Sequence, residues 1–362
     1  MVDIANSFYE KGYETSLIAG RVVERDTPLN PGITVIKIKR YDRTSNIRRI
    51  ISWVIGSVQT LFILIFRFRK FHLLIVSNPP FAPLLPLYLR NEFSLLVFDV
   101  FPDAIVEFGV VNRNSIIIRL WTWANKKIYK RATHVFTLTA GMSETLSQYV
   151  NPEKIKIIPL WTSNNFLKPI PKNKNPFIDN YNLKGKFIVQ YSGNFGIAHH
   201  IDLIIDLASK ITDRRVMFVL IGGGPLEVKI KQKLSSLSLN NCMILPWQKI
   251  DVLPYSLAAA DLSIVTLSEN AIKLAIPSKV FNYMSVGSPI LCITGSGSDL
   301  ERLILDYNIG RSFTCQQFEG MIQYINELLD NPVLCELYHK NSLRASTYHT
   351  IKNVDLITQC YV

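Results

Sequence analysis

Strand-like apolar runs alternate with helical patterns along most of the chain, and this alternation constrains the fold more than any other feature. The runs lie at "HLLIVSNPP" (72–80), "SLLVFDVFPD" (94–103), "HVFTLT" (134–139), "IKIIPLW" (155–161), 187–194, 216–224, 241–247, 261–267 and 289–294. Apolar, β-branched strands that alternate with helices are typical of a parallel sheet covered on both faces. The sequence therefore predicts an α/β protein with doubly wound, Rossmann-like sheets.

The length predicts more than one domain, because 362 residues exceed what a single core usually organises. A stretch rich in Pro, Lys and Asn (167–186) interrupts the alternation and is interpreted as a linker. We expect an amino-terminal domain over 1–168, a second domain over 169–345, and a carboxyl-terminal segment over 346–362 that returns to the first domain. In doubly wound sheets, ligands bind outside the carboxyl ends of the strands.

The charge is concentrated in the first half of the chain. Residues 1–168 hold 22 Lys and Arg against 12 Asp and Glu, and residues 169–362 hold 18 against 16. Basic runs flank the 17-residue apolar segment Ile50 to Phe66. Cations beside apolar surface favour an anionic membrane surface as a partner. A buried domain helix and a solvated basic surface remain the alternatives.

Within that apolar segment, the small and polar residues recur every three or four positions and so form one helical stripe: Ser52, Gly56, Gln59 and Thr60. Such a helix packs its stripe on protein and leaves its other faces for a membrane interface. We therefore expect a cytoplasmic protein bound peripherally to the inner face of the cell membrane. Its five scattered cysteines lack CxxC spacing, which argues against a disulfide framework or zinc site. No nucleic-acid motif is present in the sequence, so no nucleic-acid partner is expected.

A Pro-Ser-Lys triplet at 277–279 precedes a short apolar helix pattern. Ser278 is predicted to cap that helix. Lys279 would then lie at a helix start, where the partial positive charge disfavours a cation. A bound diphosphate between the lysine and the helix start removes this conflict. The alternative is an exposed lysine that points to water.

Two glycine-rich turns follow consecutive strands of the second half, in "YSGNFG" (191–196) and "IGGGP" (221–225). Glycine lets a ligand approach the backbone closely. Neither turn has the GxGxxG spacing of a dinucleotide site or the GK[ST] of a P-loop, so each is a weak signal alone.

Taken in order, "YSGN.G", "IGGGP", "LPW" and "PSKVFNYMSVGSPIL" resemble the donor half of GT-B glycosyltransferases of family four. The likeness is to the branch that builds bacterial capsule, O-antigen and colanic-acid-type polysaccharides. In the first half, "SNPP", "FDVFPD", "ATHVFTLTAGM" and "KIKIIPLWTSNN" are similar to the same branch. The resemblance implies two Rossmann-like domains facing a cleft.

The resemblance also implies retaining transfer of a sugar from a nucleoside diphosphate, commonly UDP, to a lipid-linked saccharide. Position by position, it assigns the donor to Gly193, Asn194, Gly222, Gly223, Trp247, Pro277, Ser278 and Lys279. Lys279 would stabilise the leaving diphosphate, and Asp99 or Asp103 would orient or deprotonate the acceptor hydroxyl. Because no DxD triplet is present, no metal cofactor is expected.

The sequence departs from the family at several points. Its frequent Glu-x7-Glu pair falls at Leu274 and Asn282, and His199 and His200 occupy a donor-loop basic position. The chain opens on what resembles the family's first helix, Val2 to Lys11, with a strand over Glu14 to Ala19 after it. The family's first strand and its Gly-rich loop are therefore expected to be missing. An inactive, truncated GT-B-like protein that binds a nucleotide or a partner is therefore the alternative function.

Overall fold

The computed structural model describes residues 1–24, 27–42, 46–196 and 199–361. The chain divides into two compact units. Unit 1 comprises Met1–Pro159, Lys273–Ala275 and Ile351–Val362, and unit 2 comprises Leu160–Ile272 and Ile276–Thr350. The sequence analysis puts the corresponding divisions at 168/169 and 345/346, and it does not predict that Lys273–Ala275 belong to unit 1.

Unit 1 contains two parallel sheets, of two and four strands, with order β1-β2 and β3-β4-β5-β6. Numbered in chain order, its strands are β1 Ser16–Ala19, β2 Thr34–Lys37, β3 Leu73–Val76, β4 Phe93–Val97, β5 Val135–Thr137 and β6 Ile155–Ile157. Its helices are α1 Val2–Glu10, α2 Asn46–Arg67, α3 Asp103–Glu107, α4 Ile116–Arg131, α5 Ala140–Leu146 and α14 Asp355–Thr358. A 3-10 helix, Ala82–Tyr88, contacts both α2 and α4.

Residues of the carboxyl-terminal segment pack on α1 in unit 1. Ser7 Oγ donates to Asp355 Oδ1 (3.1 Å), and the Tyr13 hydroxyl donates to the carbonyl of Tyr361 (2.7 Å). The ring of Tyr361 also meets that of Phe8 edge to face, with centroids 5.1 Å apart. These contacts join the two ends of the chain.

Unit 2 contains one six-stranded parallel sheet of order β12-β11-β10-β7-β8-β9. Its strands are β7 Phe187–Asn194, β8 Val216–Gly223, β9 Cys242–Leu245, β10 Leu262–Thr266, β11 Ile290–Ile293 and β12 Gly310–Phe313. Its helices are α6 Pro176–Asn180, α7 Ile201–Lys210, α8 Glu227–Leu237, α9 Leu253–Ala258, α10 Lys279–Ser285, α11 Asp299–Asp306, α12 Phe318–Asp330 and α13 Pro332–Ser346. The direction of winding reverses between β7 and β10, and ligands bind doubly wound sheets at such a switch point.

The predicted strands all overlap observed ones, so the alternating pattern was read correctly. β2 and β12 were not predicted. The interpretation of 167–186 as a linker was wrong. Its apolar residues Phe177, Ile178 and Leu183 are at most 3% exposed and pack with the strand residues Ile188 and Val219 in the core of unit 2. The interpretation was wrong because it rested on the high proline and lysine content of the segment and gave no weight to these three apolar side chains.

The stripe on α2 faces protein, as predicted. Ser52 is buried, Gln59 accepts a hydrogen bond from the backbone of Lys39 (2.7 Å), and Gly56 lies against the chain near Ile38. Leu64 is also buried, whereas most of the other apolar side chains of this helix are exposed, among them Val54, Phe62 and Phe66. Ile47–Arg67 is apolar and long enough to cross a membrane, yet only 17% of its apolar stretch is buried, so the buried-helix alternative is wrong.

Candidate functional site

The carboxyl ends of β7 and β8 approach each other so closely that glycine is required. Gly193 pairs with Gly222, and Asn194 pairs with Gly223. A side chain at Gly222 would overlap the carbonyl oxygen of Gly193, and its φ of +151° is one that L residues rarely adopt. The sequence signal at 221–225 therefore marks a backbone approach and not only a turn.

Lys279, the first residue of α10, reaches this strand end. Its Nζ occupies the space that a Cβ at Gly193 would fill. The ammonium lies 3.8 Å from the centroid of the Tyr191 ring. Although the residue as a whole is partly exposed, Nζ is inaccessible to solvent and has no hydrogen-bond partner among the residues described. The predicted alternative of a lysine pointing to water is wrong.

Burial dominates the electrostatics of this lysine, because a charged amine without a hydrogen-bonded counter-charge is disfavoured in low dielectric. It lowers the pKa of Lys279 to about 7. Burial also lowers the pKa of His199 to about 4, helped by the charges of Lys279 and then His200. At neutral pH, His199 is therefore uncharged, and Lys279 is close to the midpoint of its titration.

Two tyrosines that the sequence reasoning missed hold the end of β7. The Tyr191 hydroxyl donates to the carbonyl of Asn194 (2.8 Å), and the Tyr283 hydroxyl accepts from Ser192 N (3.0 Å). Burial raises the pKa of both phenols, so both stay protonated. Side chains in a strand alternate between faces, which puts Tyr191 on the same face as Gly193. This two-residue spacing could have indicated from the sequence that Tyr191 lies near Gly193.

Trp247 and Glu227 flank Gly223 on the other strand. A Cβ at Gly223 would lie 3.2 Å from Trp247 Nε1 and 2.9 Å from Glu227 Oε2. Trp247 is 58% exposed, so it is not a core tryptophan. Its indole has a free surface beside the glycine-lined strand end. Glu227 was not singled out from the sequence.

The prediction that Ser278 caps α10 was wrong. Ser278 occupies the N-cap position with helical dihedrals (φ −59°, ψ −21°), and its side chain makes no capping hydrogen bond. An N-cap side chain normally reaches the first-turn amides from an extended backbone, which Ser278 lacks. The cation at this site is therefore the buried amine of Lys279, without a capped helix start.

The two carboxylates of unit 1 differ in environment. Asp103 begins α3, where its Oδ2 accepts from the Tyr149 hydroxyl (2.6 Å) and its Oδ1 from Gln148 (3.1 Å). Asp99 follows β4, and its backbone N–H donates to Ser77 Oγ (3.2 Å). Burial raises the pKa of the Asp99 carboxyl. Asp103 is thus held by hydrogen bonds, whereas the dominant influence on Asp99 is desolvation.

The positions of the family's acidic pair are structural here. Leu274 is buried, and Asn282 Oδ1 accepts a hydrogen bond from the Thr162 hydroxyl (2.8 Å). Within the ranges that the structure describes, no three His, Cys, Asp or Glu side chains lie close enough together to hold a metal ion.

The segment that contains β7 to β12 matches a known family. Residues 173–345 match the family described as glycosyl transferases group 1. The six-stranded sheet of unit 2 thus lies within a domain that is similar to group 1 glycosyltransferases. This domain contains all the residues predicted from the sequence to bind the donor, so the resemblance noted above is confirmed at the level of the family.

Two curated bacterial proteins are similar to this chain. A probable glycosyltransferase, WbjE of Pseudomonas aeruginosa, is 28% identical over 249 residues, which cover 68% of this chain and 62% of WbjE. A putative colanic acid biosynthesis glycosyl transferase, WcaI of Escherichia coli K12, is 22% identical over 237 residues, which cover 63% and 54%. The chain thus spans less than two thirds of the length of these relatives.

Solved glycosyltransferase structures share the fold of nearly the whole chain. Sucrose-phosphate synthase from Thermosynechococcus elongatus superimposes with a TM-score of 0.75 at 14% identity, over 99% of this chain and 90% of that one. Anabaena HepE in complex with UDP and glucose gives 0.73 at 14% identity, over 99% and 94%. The predicted α/β class with Rossmann-like sheets, the GT-B fold, is confirmed.

Proposed function

We propose that this chain is a retaining glycosyltransferase that moves a sugar from UDP to a lipid-linked saccharide during the synthesis of a bacterial cell-surface polysaccharide. The family of residues 173–345 and the names of WbjE and WcaI support the reaction class and the pathway. One observation carries the site: the buried amine of Lys279 at the switch point has no hydrogen-bond partner among the described residues.

In this proposal, the β-phosphate of the donor binds Lys279. A diphosphate supplies the counter-charge that the site lacks, so binding restores the proton that burial removes. The transition state separates a cation-like sugar from an anionic diphosphate, and a preorganised cation stabilises that leaving group. A charge-assisted hydrogen bond of this kind contributes about 1.5–3 kcal/mol. The ring of Tyr191, 3.8 Å from Nζ, holds the amine in place.

The glycine-lined strand ends accept the rest of the donor. Gly193 and Asn194 lie at the sugar and its phosphates, and Gly222 and Gly223 let the nucleotide approach the backbone. Trp247 stacks on the base with its exposed face. Glu227 pairs through Oε1 with Lys231 (2.6 Å), and its Oε2, next to Gly223, accepts from a hydroxyl of the donor. Pro277 and Ser278 fix the path of the chain into α10 and so direct the side chain of Lys279 toward Gly193.

The acceptor hydroxyl requires a carboxylate, and the two candidates divide the work. A raised pKa makes Asp99 the better proton acceptor, because it titrates closer to neutral pH. Asp103, already bound by Tyr149 and Gln148, positions the acceptor. The protein groups alone balance the leaving charge in this scheme, so turnover persists when divalent metal is chelated.

The exposed face of α2 supports binding to the inner surface of the cell membrane. Phe62 and Phe66 are 56% and 75% exposed, and Arg67, Arg69 and Lys70 follow at the end of the helix. Apolar side chains beside cations suit an anionic lipid interface. A cytoplasmic enzyme that binds the membrane peripherally reaches a lipid-linked acceptor there.

A panel of nucleotide sugars, assayed with lipid-linked saccharides and the full chain, tests this function. We expect turnover with one UDP-sugar, unchanged by EDTA, and at least tenfold less turnover in Lys279→Ala. The HepE complexes with UDP and with UDP-glucose make UDP the first nucleotide to test. Binding of UDP without turnover of any donor would instead support a non-enzymatic nucleotide-binding protein.

A further inference from the structure

A cavity of about 480 Å³ lies in unit 1 beside α4, and none of the residues assigned to the donor lines it. Its wall contains three cations and one carboxylate: Arg113, Arg119, Lys126 and Asp103. Arg113 pairs with Glu107. Among the residues described, Arg119 and Lys126 form no ion pair, so positive charge is in excess at the cavity wall.

The sequence of α4 places those two cations on one face. Arg119 and Lys126 are seven residues apart, which is two helical turns and about 10 Å along the axis. Asp103 offsets one of these two positive charges, so the cavity keeps a net excess of one positive charge beyond the Arg113–Glu107 pair. An anion with phosphate oxygens fits between such cations.

An apolar stripe runs next to the cationic face. Ile116, Leu120 and Trp123 follow at spacings of four and three, and they are 74%, 61% and 54% exposed. Trp123 belongs to both features, because it also lines the cavity. Lys127 Nζ lies 3.9 Å from the centroid of the Trp123 ring. Cationic and apolar surfaces are thus adjacent along a single helix.

We propose that this cavity binds the phosphate group of an amphiphile, a phosphate or diphosphate ester carried on a long apolar chain. The phosphates lie against Arg119 and Lys126, and the apolar chain runs along Ile116, Leu120 and Trp123. Asp103 accepts hydrogen bonds from the hydroxyl-bearing part of the same ligand. This inference rests on the proposed function, because it locates the lipid part of the acceptor.

Binding of farnesyl diphosphate to the full chain tests the site by calorimetry, with saturating UDP present to occupy the donor site. We expect the double variant Arg119→Gln, Lys126→Gln to weaken binding at least tenfold. Lys130→Gln, an exposed lysine of α4 that does not line the cavity, serves as the matched control and should leave binding unchanged. Equal affinity of the double variant and the wild type would overturn the site.

Two further probes separate the parts of the ligand. Inorganic pyrophosphate should bind at least tenfold more weakly than farnesyl diphosphate, because it lacks the apolar chain, and equal binding would overturn the role of the stripe. Phosphatidylglycerol vesicles should not compete for the cavity. If they displace farnesyl diphosphate, the surface recognises bulk anionic lipid and the proposal is wrong.

UDP affinity of the same variants keeps this inference distinct from the proposed function. Unchanged UDP binding in Arg119→Gln, Lys126→Gln, with loss of farnesyl diphosphate, supports a separate amphiphile site. If the wild type binds farnesyl diphosphate but transfers no sugar, the enzymatic function fails and the cavity stands.

Discussion

The strand-end site of unit 2 and the surface of unit 1 around α2 and α4 use opposite strategies. In unit 2, one buried amine lies among glycines and aromatic rings, and the backbone itself shapes the site. In unit 1, several cations and apolar side chains are exposed on helices. The comparison indicates that single substitutions should have large effects on binding at the first site and small effects at the second, where many weak contacts share the binding.

The largest effect is expected for Gly222→Ala. A Cβ there would overlap the backbone of Gly193, and the alanine would also take a φ of +151°. Strain of this kind costs on the order of 1–3 kcal/mol, and any relief must move the strand end. We expect UDP binding to be lost and the free energy of unfolding, measured in urea, to fall by a similar amount.

Gly185→Ala is the matched control for this prediction. Gly185 also has a positive φ, +70°, but a Cβ there meets open space. It should lower stability by the strain alone and leave UDP affinity intact. If Gly222→Ala binds UDP as the wild type does, the close approach of β7 and β8 is irrelevant to the ligand.

Lys279→Met should reduce UDP affinity by roughly ten- to a hundredfold while increasing stability. The substitution removes a charge-assisted contact of about 1.5–3 kcal/mol, but it also removes a buried polar group without a hydrogen-bond partner, which costs about 1–3 kcal/mol. The melting temperature of the empty protein should therefore rise by a few degrees. Matched losses of stability and affinity would show that Lys279 is structural.

The sign of the pH dependence follows from the same lysine. Its pKa is about 7 in the folded chain and 10.5 when unperturbed. Between these values the unfolded state binds a proton that the folded state does not, so this group increases stability as pH rises through that window. Lys279→Met should flatten the urea-derived stability profile between pH 7 and 10, and an unchanged slope would contradict the burial.

Trp247→Ala should weaken UDP binding by roughly tenfold, because stacking of a base on an aromatic ring contributes about 1–3 kcal/mol. Trp247→Phe should recover most of the affinity, since it retains a stacking surface. The indole is exposed, so neither variant should change the melting temperature by more than about 2 °C. A large loss of stability would place the tryptophan in the structure of the loop instead.

The smallest effect is expected on the surface of unit 1. Phe62→Ser with Phe66→Ser should weaken binding to anionic vesicles by roughly three- to tenfold, because two of many apolar contacts are lost. Val333→Ser, at a still more exposed apolar position of unit 2, is the control. Vesicle binding that is unchanged in the double variant, or absent in the wild type, would contradict the claim that the exposed surface of unit 1 binds lipid.

The sequence predicted the strand ends of unit 2 well, for a physical reason. Gly222 has a φ of +151°, a backbone conformation that favours glycine, and such a preference is local in the chain. The strand period and the positions of the turns follow from the same local rules.

The sequence could not predict features that depend on contacts between distant residues. Serine is a common N-cap residue, but the backbone dihedrals of Ser278 are helical and do not suit a cap. These dihedrals depend on how the chain packs before α10, which the local sequence does not fix. The cation–π contact of Lys279 with Tyr191 joins residues that are 88 positions apart in the chain. Likewise, Phe177 and Leu183 look like linker residues until β7 and β8 are folded against them.

Calorimetry of UDP binding at several pH values in buffers of different ionisation enthalpy tests the central claim most directly. If the diphosphate is the counter-charge of the Lys279 amine, with its pKa of about 7, binding takes up close to one proton at pH 8.5 and almost none at pH 5.5. Lys279→Met should abolish that uptake. Proton uptake that is absent from the wild type at pH 8.5, or that persists in Lys279→Met, would contradict the account.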